Sequence, residues 1–226
     1  MELNTLAYGC HTVWYGKLAG SPAKAAMPTP RKQLRPTAPL SPEAWVKAAQ
    51  ALIIREGVSA VAVEPLAQGL GVTKGSFYWH FASRDALIRA ALVDWEQDQS
   101  ADVVSRYGGI ADPRRRLRVL LFAAFEDVEN GLFFAALAVS GEDPRVAPFL
   151  RRATERRLAF GAEAFMALGL TEAEARQRAL LAYAAYAGYF QLLRATPRAV
   201  KEVTDLSGYV RQLADALVPV RPSRKA

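Results

Sequence analysis

The stretch AVEPLAQGLGVTKGSFYWHF, residues 62–81, contains two short apolar-patterned segments on either side of a glycine. The first has the apolar face of a short helix, formed by Val63, Leu66, Ala67 and Leu70. Gly71 predicts a sharp turn with positive φ, and Thr73 then caps a second helix that buries Phe77. A small Ala67, the turn glycine and an apolar anchor at this spacing predict a helix-turn-helix.

Two other functions of this stretch are disfavoured. A phosphate-binding P-loop needs its lysine directly after the second glycine and a strand before the loop, whereas the order here is Lys74-Gly75-Ser76. A catalytic His80 would need an oriented nucleophile or carboxylate, and the nearby Asp85 is already explained by its position at the start of the next helix. We therefore predict no catalytic residue and no enzymatic activity.

The rest of the chain has helical periodicity interrupted by glycine and proline, which predicts an all-α protein of about nine helices. Helix starts are indicated at Ser41-Pro42, Ser83, Asp112-Pro113, Asp143-Pro144 and the capping box Thr171–Glu174. The intervening patterns predict helices at 114–129 and 132–139, one reaching Leu168, one reaching Ala195, and a last helix carrying Val203, Leu206, Val210, Leu213 and Leu217.

Composition excludes several classes of protein. Of the 226 residues, 51% are hydrophobic and 23% charged, a globular profile. The apolar run 179–190 is shorter than the roughly 18 residues of a membrane span, and no signal peptide is recognisable, so we expect a cytoplasmic protein that does not associate with membranes. Cys10 is the single cysteine and has only His11 beside it, so no metal or other cofactor is predicted.

The net charge of +7 is concentrated at the two ends of the chain. Residues 1–40 carry +4 and residues 221–226 carry +3, which leaves the part between them neutral. Five prolines and the absence of periodicity predict that residues 1–40 form a mobile basic arm, which would contact phosphates or merely aid solubility. Met27 is an alternative start, so residues 1–26 are expected either to belong to the protein or to reflect the choice of start codon.

The passage GVSAVAVEPLAQGLGVTKGSFYWHFASRDAL, residues 57–87, resembles the DNA-binding segment of the tetracycline-repressor (TetR) family of transcriptional regulators. The resemblance covers residues 41–95 and is most specific at the ending Tyr78-Trp79-His80-Phe81. Two positions depart from the family pattern. Ala62 stands where a threonine is usual, which puts one phosphate contact in doubt, and Arg84 replaces a lysine with conservation of charge.

The resemblance implies a role for each matching residue. Those facing the major groove from the start of the recognition helix would be Thr73, Lys74, Gly75 and Ser76. Tyr78, His80 and Arg84 would contact backbone phosphates of the duplex. Trp79 fits core packing as well as DNA contact, whereas Phe77 and Phe81 are predicted to be core residues.

For residues 96–220 the resemblance implies a helical domain that binds an effector and pairs two subunits through the last two long helices. A small-residue face, Ala182, Ala184, Ala185, Ala187 and Gly188, and the stripe on the last helix fit such an interface, or else the core of one subunit. The candidate effector pocket comprises Phe122, Phe125, Glu126, Phe160, Tyr183 and Tyr186. Because acidic residues are scarce in this set, an apolar effector is favoured. The patches Arg114–Arg116, Arg151-Arg152 and Arg156-Arg157 are expected to be solvated.

These expectations combine into a homodimeric repressor of the bacterial cytoplasm that binds a palindromic operator on the nucleoid and releases it when a small apolar effector binds. Two alternatives remain open at this stage. The protein could be a regulator controlled by a protein partner or by no ligand, or a helical-bundle enzyme carrying this N-terminal segment, which the lack of a metal-ligand set disfavours.

Overall fold

The computed structural model describes residues 40–98, 109–203 and 205–218 of the chain. These ranges contain ten α-helices, one 3-10 turn at Val58–Ala60 and no strand, which confirms the all-α prediction. The helices are α1 Pro42–Glu56, α2 Val63–Gly69, α3 Lys74–Tyr78, α4 Arg84–Asp98, α5 Pro113–Glu126, α6 Val128–Val139, α7 Ala147–Met166, α8 Glu172–Ala195, α9 Pro197–Val203 and α10 Leu206–Leu217. The predicted arm up to residue 39, the dipeptide Cys10-His11 and the tail 221–226 lie outside the described residues.

The first three helices and the start of α4 enclose one apolar core, which contains Trp45, Ile53, Leu66, Ala67, Phe77, Leu87 and Ile88. Gly57 ends α1 at φ 89° and Gly71 forms the turn between α2 and α3 at φ 69°, a region that only glycine enters without strain. The amide of Val72 donates to the carbonyl of Ala67 across that turn (3.0 Å). The predicted helix-turn-helix is therefore present, with its glycine in the expected conformation.

Helix α4 connects this N-terminal core to the C-terminal helices. Its start is capped by Ser83, whose Oγ accepts from the amide of Ala86 (3.1 Å), as the sequence predicted. The predicted inward face is buried along its whole length, at Leu87, Ile88, Ala91, Leu92 and Trp95. Helix α4 packs against both α1 and α7, and α1 also packs directly against α6, so two elements join the N-terminal helices to the C-terminal ones.

The C-terminal helices pack mainly around α8, which lies against α6 and α7, while α10 lies against α5. Thr171 and Glu174 form the predicted capping box at the start of α8, and Gly169 ends the preceding segment at φ 88°. Across the described ranges, no helix combines the length and the apolarity that crossing a membrane requires.

Three boundaries differ from the sequence predictions. The predicted helix 114–129 ends at Glu126, because Asp127 leaves helical geometry and its carboxylate caps the amide of Asn130 (3.2 Å) to begin α6. Helix α7 begins at Ala147, after a turn, instead of at the Asp143-Pro144 signal. Val203 belongs to the short α9 and is 84% exposed, so it is not part of the last helix or its apolar stripe.

The rest of that stripe belongs to the core of the chain. Val210 and Leu217 of α10 are buried, together with Ala214, against other helices of the same chain. The sequence left two alternatives for these residues, and the structure places them in the core of one subunit. Any surface for a second subunit therefore has to come from other residues.

A larger residue at Gly131 on α6 should measurably lower the stability of the protein. A Cβ at this position would lie 2.3 Å from the ring of Phe190, which is fully buried and enclosed by other aromatic rings. We expect Gly131→Ala to lower the free energy of unfolding by about 1 kcal/mol, because overpacking costs roughly 1–3 kcal/mol and exceeds the gain in helix propensity. Gly69→Ala, where a Cβ meets open space, is the control and should be neutral or stabilising in urea denaturation.

The turn before α7 is tied to the start of α4 by Arg145, which pairs with Asp85 (2.7 Å) and Asp143 (2.6 Å). Hydrogen bonds from Arg145 lower the pKa of Asp143 from 3.8 to about 2. Since the folded pKa is depressed, the ion pair contributes stability above the unfolded pKa and loses it as pH falls from about 4 towards 2. We expect Asp143→Asn to be destabilised at pH 6, with the difference from the natural protein shrinking at pH 3; a pH-independent difference in urea midpoint would contradict this.

Candidate nucleic-acid interface

Helix α3, the second helix of the helix-turn-helix, presents one polar face to solvent and buries one side chain. Phe77 is fully buried, with its ring 5.3 Å from that of Trp45 and 5.6 Å from that of Phe81. The residues on either side of it are exposed, namely Thr73, Lys74, Gly75, Tyr78, Trp79 and His80, while Ser76 is half-buried. The predictions of a core position for Phe77 and Phe81 are confirmed.

Thr73 occupies the N-cap position of α3 with extended backbone, as predicted, but its side chain makes no capping hydrogen bond. The amide of Ser76 donates instead to the carbonyl of Thr73 (3.0 Å). The Thr73 hydroxyl therefore sits at the exposed start of the helix with no role in closing its first turn. Hydroxyls at such positions are suitable donors to phosphates and base edges.

Two large aromatic side chains project from the end of the same helix. Trp79 is 88% exposed and Tyr78 is 56% exposed, although the Tyr78 ring still contacts Phe77 edge-on at 5.2 Å. Core packing is thereby excluded for Trp79, one of the two interpretations that the sequence left open. An exposed indole beside exposed Tyr78 and His80 is unusual on a surface without a partner.

Lys74, the first residue of α3, forms an ion pair with Glu64 of α2. The Nζ atom of Lys74 lies 2.8 Å from Oε1 of Glu64, and both side chains are more than half exposed. This hydrogen bond lowers the pKa of Glu64 and raises the pKa of Lys74, so both groups stay charged around neutral pH. Glu64 was not among the residues selected from the sequence, since it precedes Lys74 by ten positions and only the turn brings the two together.

Arg84 at the start of α4 is held by the backbone of the preceding turn. Its guanidinium donates to the carbonyls of Val61, Ser59 (3.0 Å) and Val58 (3.4 Å). These bonds fix the 3-10 turn before α2 against the start of α4. The phosphate contact that the family resemblance implied for Arg84 stays a prediction.

The residues predicted for an effector pocket fall into two groups. Phe125, Tyr183 and Tyr186 join one aromatic cluster between α5, α6 and α8, with Phe125 5.5 Å and Tyr183 6.3 Å from Tyr186. Phe122 is half-buried at the edge of the core, whereas Glu126 and Phe160 are exposed. Contact of these six residues with an effector stays a prediction.

Arg157 is the unexpected member of this cluster. Its guanidinium carbon lies 5.1–5.9 Å from the ring centroids of Trp95, Phe134, Tyr183 and Tyr186. Burial raises the pKa of Tyr186 to about 12, an effect that the nearby guanidinium partly offsets, so its hydroxyl is neutral at physiological pH.

The prediction of a solvated Arg156-Arg157 patch is therefore wrong for Arg157. A signal was present in the sequence, because Arg157 follows the buried Phe149 and Ala153 at steps of four on one face of α7. Arg152 and Arg156 remain at the surface, where both pair with Glu96 of α4 (2.8 and 3.1 Å). Helix α7 is thus connected to α4 by these ion pairs as well as by the contact between Arg157 and Trp95.

Comparison with known proteins agrees with the geometry of the N-terminal helices. A family profile described as bacterial regulatory proteins, tetR family, matches residues 46–91. The HTH-type transcriptional repressor KstR2 of Mycobacterium tuberculosis is 34% identical over 85 residues, which are 36% of this chain and 41% of that protein. The match to this curated relative therefore spans about two fifths of its length.

Solved structures extend the similarity of fold to most of the chain. A TetR-family regulator from Agrobacterium tumefaciens is 20% identical, with a TM-score of 0.65 over 79% of this chain and 97% of that one. A transcriptional regulator from Saccharomonospora viridis, solved with choline, is 19% identical, with a TM-score of 0.63 over 77% of this chain and 93% of that one. Residues 46–91 therefore match the tetR-family profile, and the described helices share the fold of solved regulators of that family.

Proposed function

We propose that this protein is a homodimeric transcriptional repressor that binds a palindromic operator through α3 and releases it when a small apolar effector binds its C-terminal helices. The observation that carries the proposal is the exposed face of residues 73–80, held rigidly by the buried Phe77. Donors at the start of a recognition helix read base edges, while flanking hydroxyls and basic groups hold phosphates.

Each exposed residue has a role in this proposal. Lys74, Ser76 and Thr73 reach base edges in the major groove, and Gly75 lets the helix backbone approach closely. Tyr78, Trp79 and His80 contact the phosphate and sugar backbone. This division between reading and positioning residues is what gives a regulator both affinity and specificity.

The DNA-binding part is tested by the salt dependence of binding. Two subunits that together make 6–10 phosphate contacts should lose roughly 10³–10⁵ in affinity between 50 and 200 mM salt. Fluorescence anisotropy with a labelled duplex measures this directly. An affinity that is indifferent to salt would contradict the proposal.

The subunit interface is proposed on the outward face of α8. Leu181, Ala184, Gly188 and Leu192 recur at steps of three and four, and all are exposed. Leu180 beside them is 56% exposed, which makes an apolar strip with small residues at its centre. Such a strip permits close helix approach and pairs with its own copy across a two-fold axis. We expect the natural protein to sediment as a dimer and Gly188→Glu to sediment as a monomer.

The effector site is proposed at the aromatic cluster around Arg157. Trp95 of α4 forms one wall of this cluster, and α4 leads directly to the core beneath α3. An effector that repositions Trp95 would therefore change the orientation of α3. It would shift the population of dimers away from those in which the distance between the two α3 helices fits the operator. The structural neighbour solved with choline supports ligand binding by proteins of this fold.

This site is tested by a thermal-shift screen of small hydrophobic compounds on the full chain. A compound that raises the melting temperature should also weaken operator binding. Arg157→Gln should abolish the response, whereas Arg151→Gln, an exposed position on the same helix, should retain it. If no compound acts, or both variants respond equally, control by a protein partner or by no ligand replaces this part of the proposal.

A further inference from the structure

The ion pair between Lys74 and Glu64 places a negative charge on the surface that the proposed function turns towards DNA. Glu64 is the second residue of α2, and its side chain is 75% exposed. Across the turn, its carboxylate accepts a hydrogen bond of 2.8 Å from Lys74, the first residue of α3. The two charged groups thus form a unit at the exposed entrance of α3.

This pair makes only a small contribution to folding, although Glu64 lies in the first turn of α2, where a carboxylate interacts favourably with the helix dipole. An exposed lysine–carboxylate pair contributes little to stability, about 0–1 kcal/mol, because both groups are well solvated when apart. Neither side chain is buried, whereas Leu66 of α2 and Phe77 of α3 belong to the core. A carboxylate here also opposes the phosphates of any duplex that approaches Lys74. Its effect on DNA binding is therefore unfavourable unless a specific group on the DNA accepts it.

One base pair satisfies both members of the unit. In the major groove, guanine offers the N7 and O6 acceptors that a lysine binds, and cytosine offers the N4 amino donor that a carboxylate accepts. Phosphates offer Glu64 no donor. Among the other base edges in the major groove, only the N6 amino group of adenine is a comparable donor, but its partner base, thymine, lacks the pair of neighbouring acceptors that guanine offers to Lys74. The Lys74–Glu64 pair is thus complementary to a G·C base pair and poorly matched to the phosphate backbone of DNA.

We infer that Glu64 is a specificity-determining residue. In each half-site its carboxylate accepts a hydrogen bond from a cytosine N4 amino group, while Lys74 binds the paired guanine. On all other duplexes, Glu64 weakens binding. The inference rests on the proposed function, since it requires α3 to enter the major groove. Glu64 lowers the affinity for random DNA because Lys74 must leave the ion pair to reach a phosphate, and the uncompensated carboxylate then faces a polyanion.

The test compares the full-length natural protein with Glu64→Gln, which keeps the shape of the side chain and removes its charge. Glu172→Gln is the control, because it removes another exposed carboxylate, paired with Arg176, from the start of α8. Anisotropy titrations use the duplex that the natural protein selects from a random pool, the same duplex with each G·C pair replaced in turn, and a random duplex.

Glu64→Gln should bind the random duplex about tenfold more tightly. Because its amide can donate to other base edges as well as accept from cytosine, it should discriminate less against replacement of one G·C pair per half-site, a replacement that costs the natural protein about tenfold or more. Glu172→Gln should behave as the natural protein does, and all three should melt at the same temperature. Unchanged selectivity in Glu64→Gln, or a selected duplex without such a G·C pair, would overturn the inference. A natural protein that selects no duplex would instead refute the proposed function.

Discussion

Phe77→Ala should lower the free energy of unfolding by about 3–5 kcal/mol, the largest effect we expect from any single substitution in the DNA-binding helices. Phe77 is fully buried and contacts Trp45 of α1 and Phe81 beyond α3. A helix of five residues cannot hold its conformation alone, so α3 depends on this anchor for its position. Operator binding should fall together with stability.

Phe160→Ala provides the matched control for this experiment. The substitution is chemically identical, but Phe160 on α7 is 36% exposed and contributes less to the core. Its cost should be about 1 kcal/mol or less in urea denaturation followed by circular dichroism. Equal losses for the two variants would mean that Phe77 is not the anchor of the recognition helix.

Lys74→Ala and Tyr78→Phe should both weaken operator binding, but in different ways. Loss of the Lys74 ammonium should cost roughly 1–3 kcal/mol on the operator and relax the preference at one base position of each half-site. Loss of the Tyr78 hydroxyl should weaken binding to operator and random duplexes about equally, because a phosphate contact carries no sequence information. Anisotropy titrations on both duplexes separate the two effects.

The two substitutions are suitable for this comparison because neither disturbs the core: Tyr78→Phe keeps the ring that contacts Phe77. Tyr78 is 56% exposed, and Lys74 contacts Glu64 at the surface. Both variants should therefore keep the melting temperature of the natural protein. Parallel changes on operator and random DNA for the two substitutions would refute the roles assigned to them.

The N-terminal helices could be predicted closely from sequence because each determinant is local. Gly71 enters the positive φ region that the turn requires, and Ser83 caps the helix that follows it. In the C-terminal part, the same holds for Thr171, which caps α8. The break at Asp127 was missed because the aspartate caps the next helix within a stretch whose apolar periodicity continues across it. Capping by a side chain competes with helix propagation and leaves little trace in the hydrophobic pattern.

The two residues that carry the proposals beyond the family resemblance could not be found in the same way. Arg157 lies in an arginine-rich stretch that suggests a solvated surface, and only the packing of α7 against α4 and α8 turns it towards aromatic rings. The role inferred for Glu64 depends on its ion pair with Lys74, which the turn at Gly71 brings beside it. The spacing after Phe149 and Ala153 places Arg157 on the inward face of α7. The aromatic partners of Arg157 and the pairing of Glu64 with Lys74 depend on contacts between elements, which periodicity along one element does not encode.

The central claim is that α3 reads a specific operator, and it is tested most directly by sequencing the duplexes that the purified full-length protein retains from a random pool. We expect one palindromic sequence to be enriched, with two half-sites about one helical turn apart, and to bind about 10³-fold or more tightly than random duplex in the same salt. Retained duplexes that share no sequence, or that bind no more tightly than random DNA, would contradict the account.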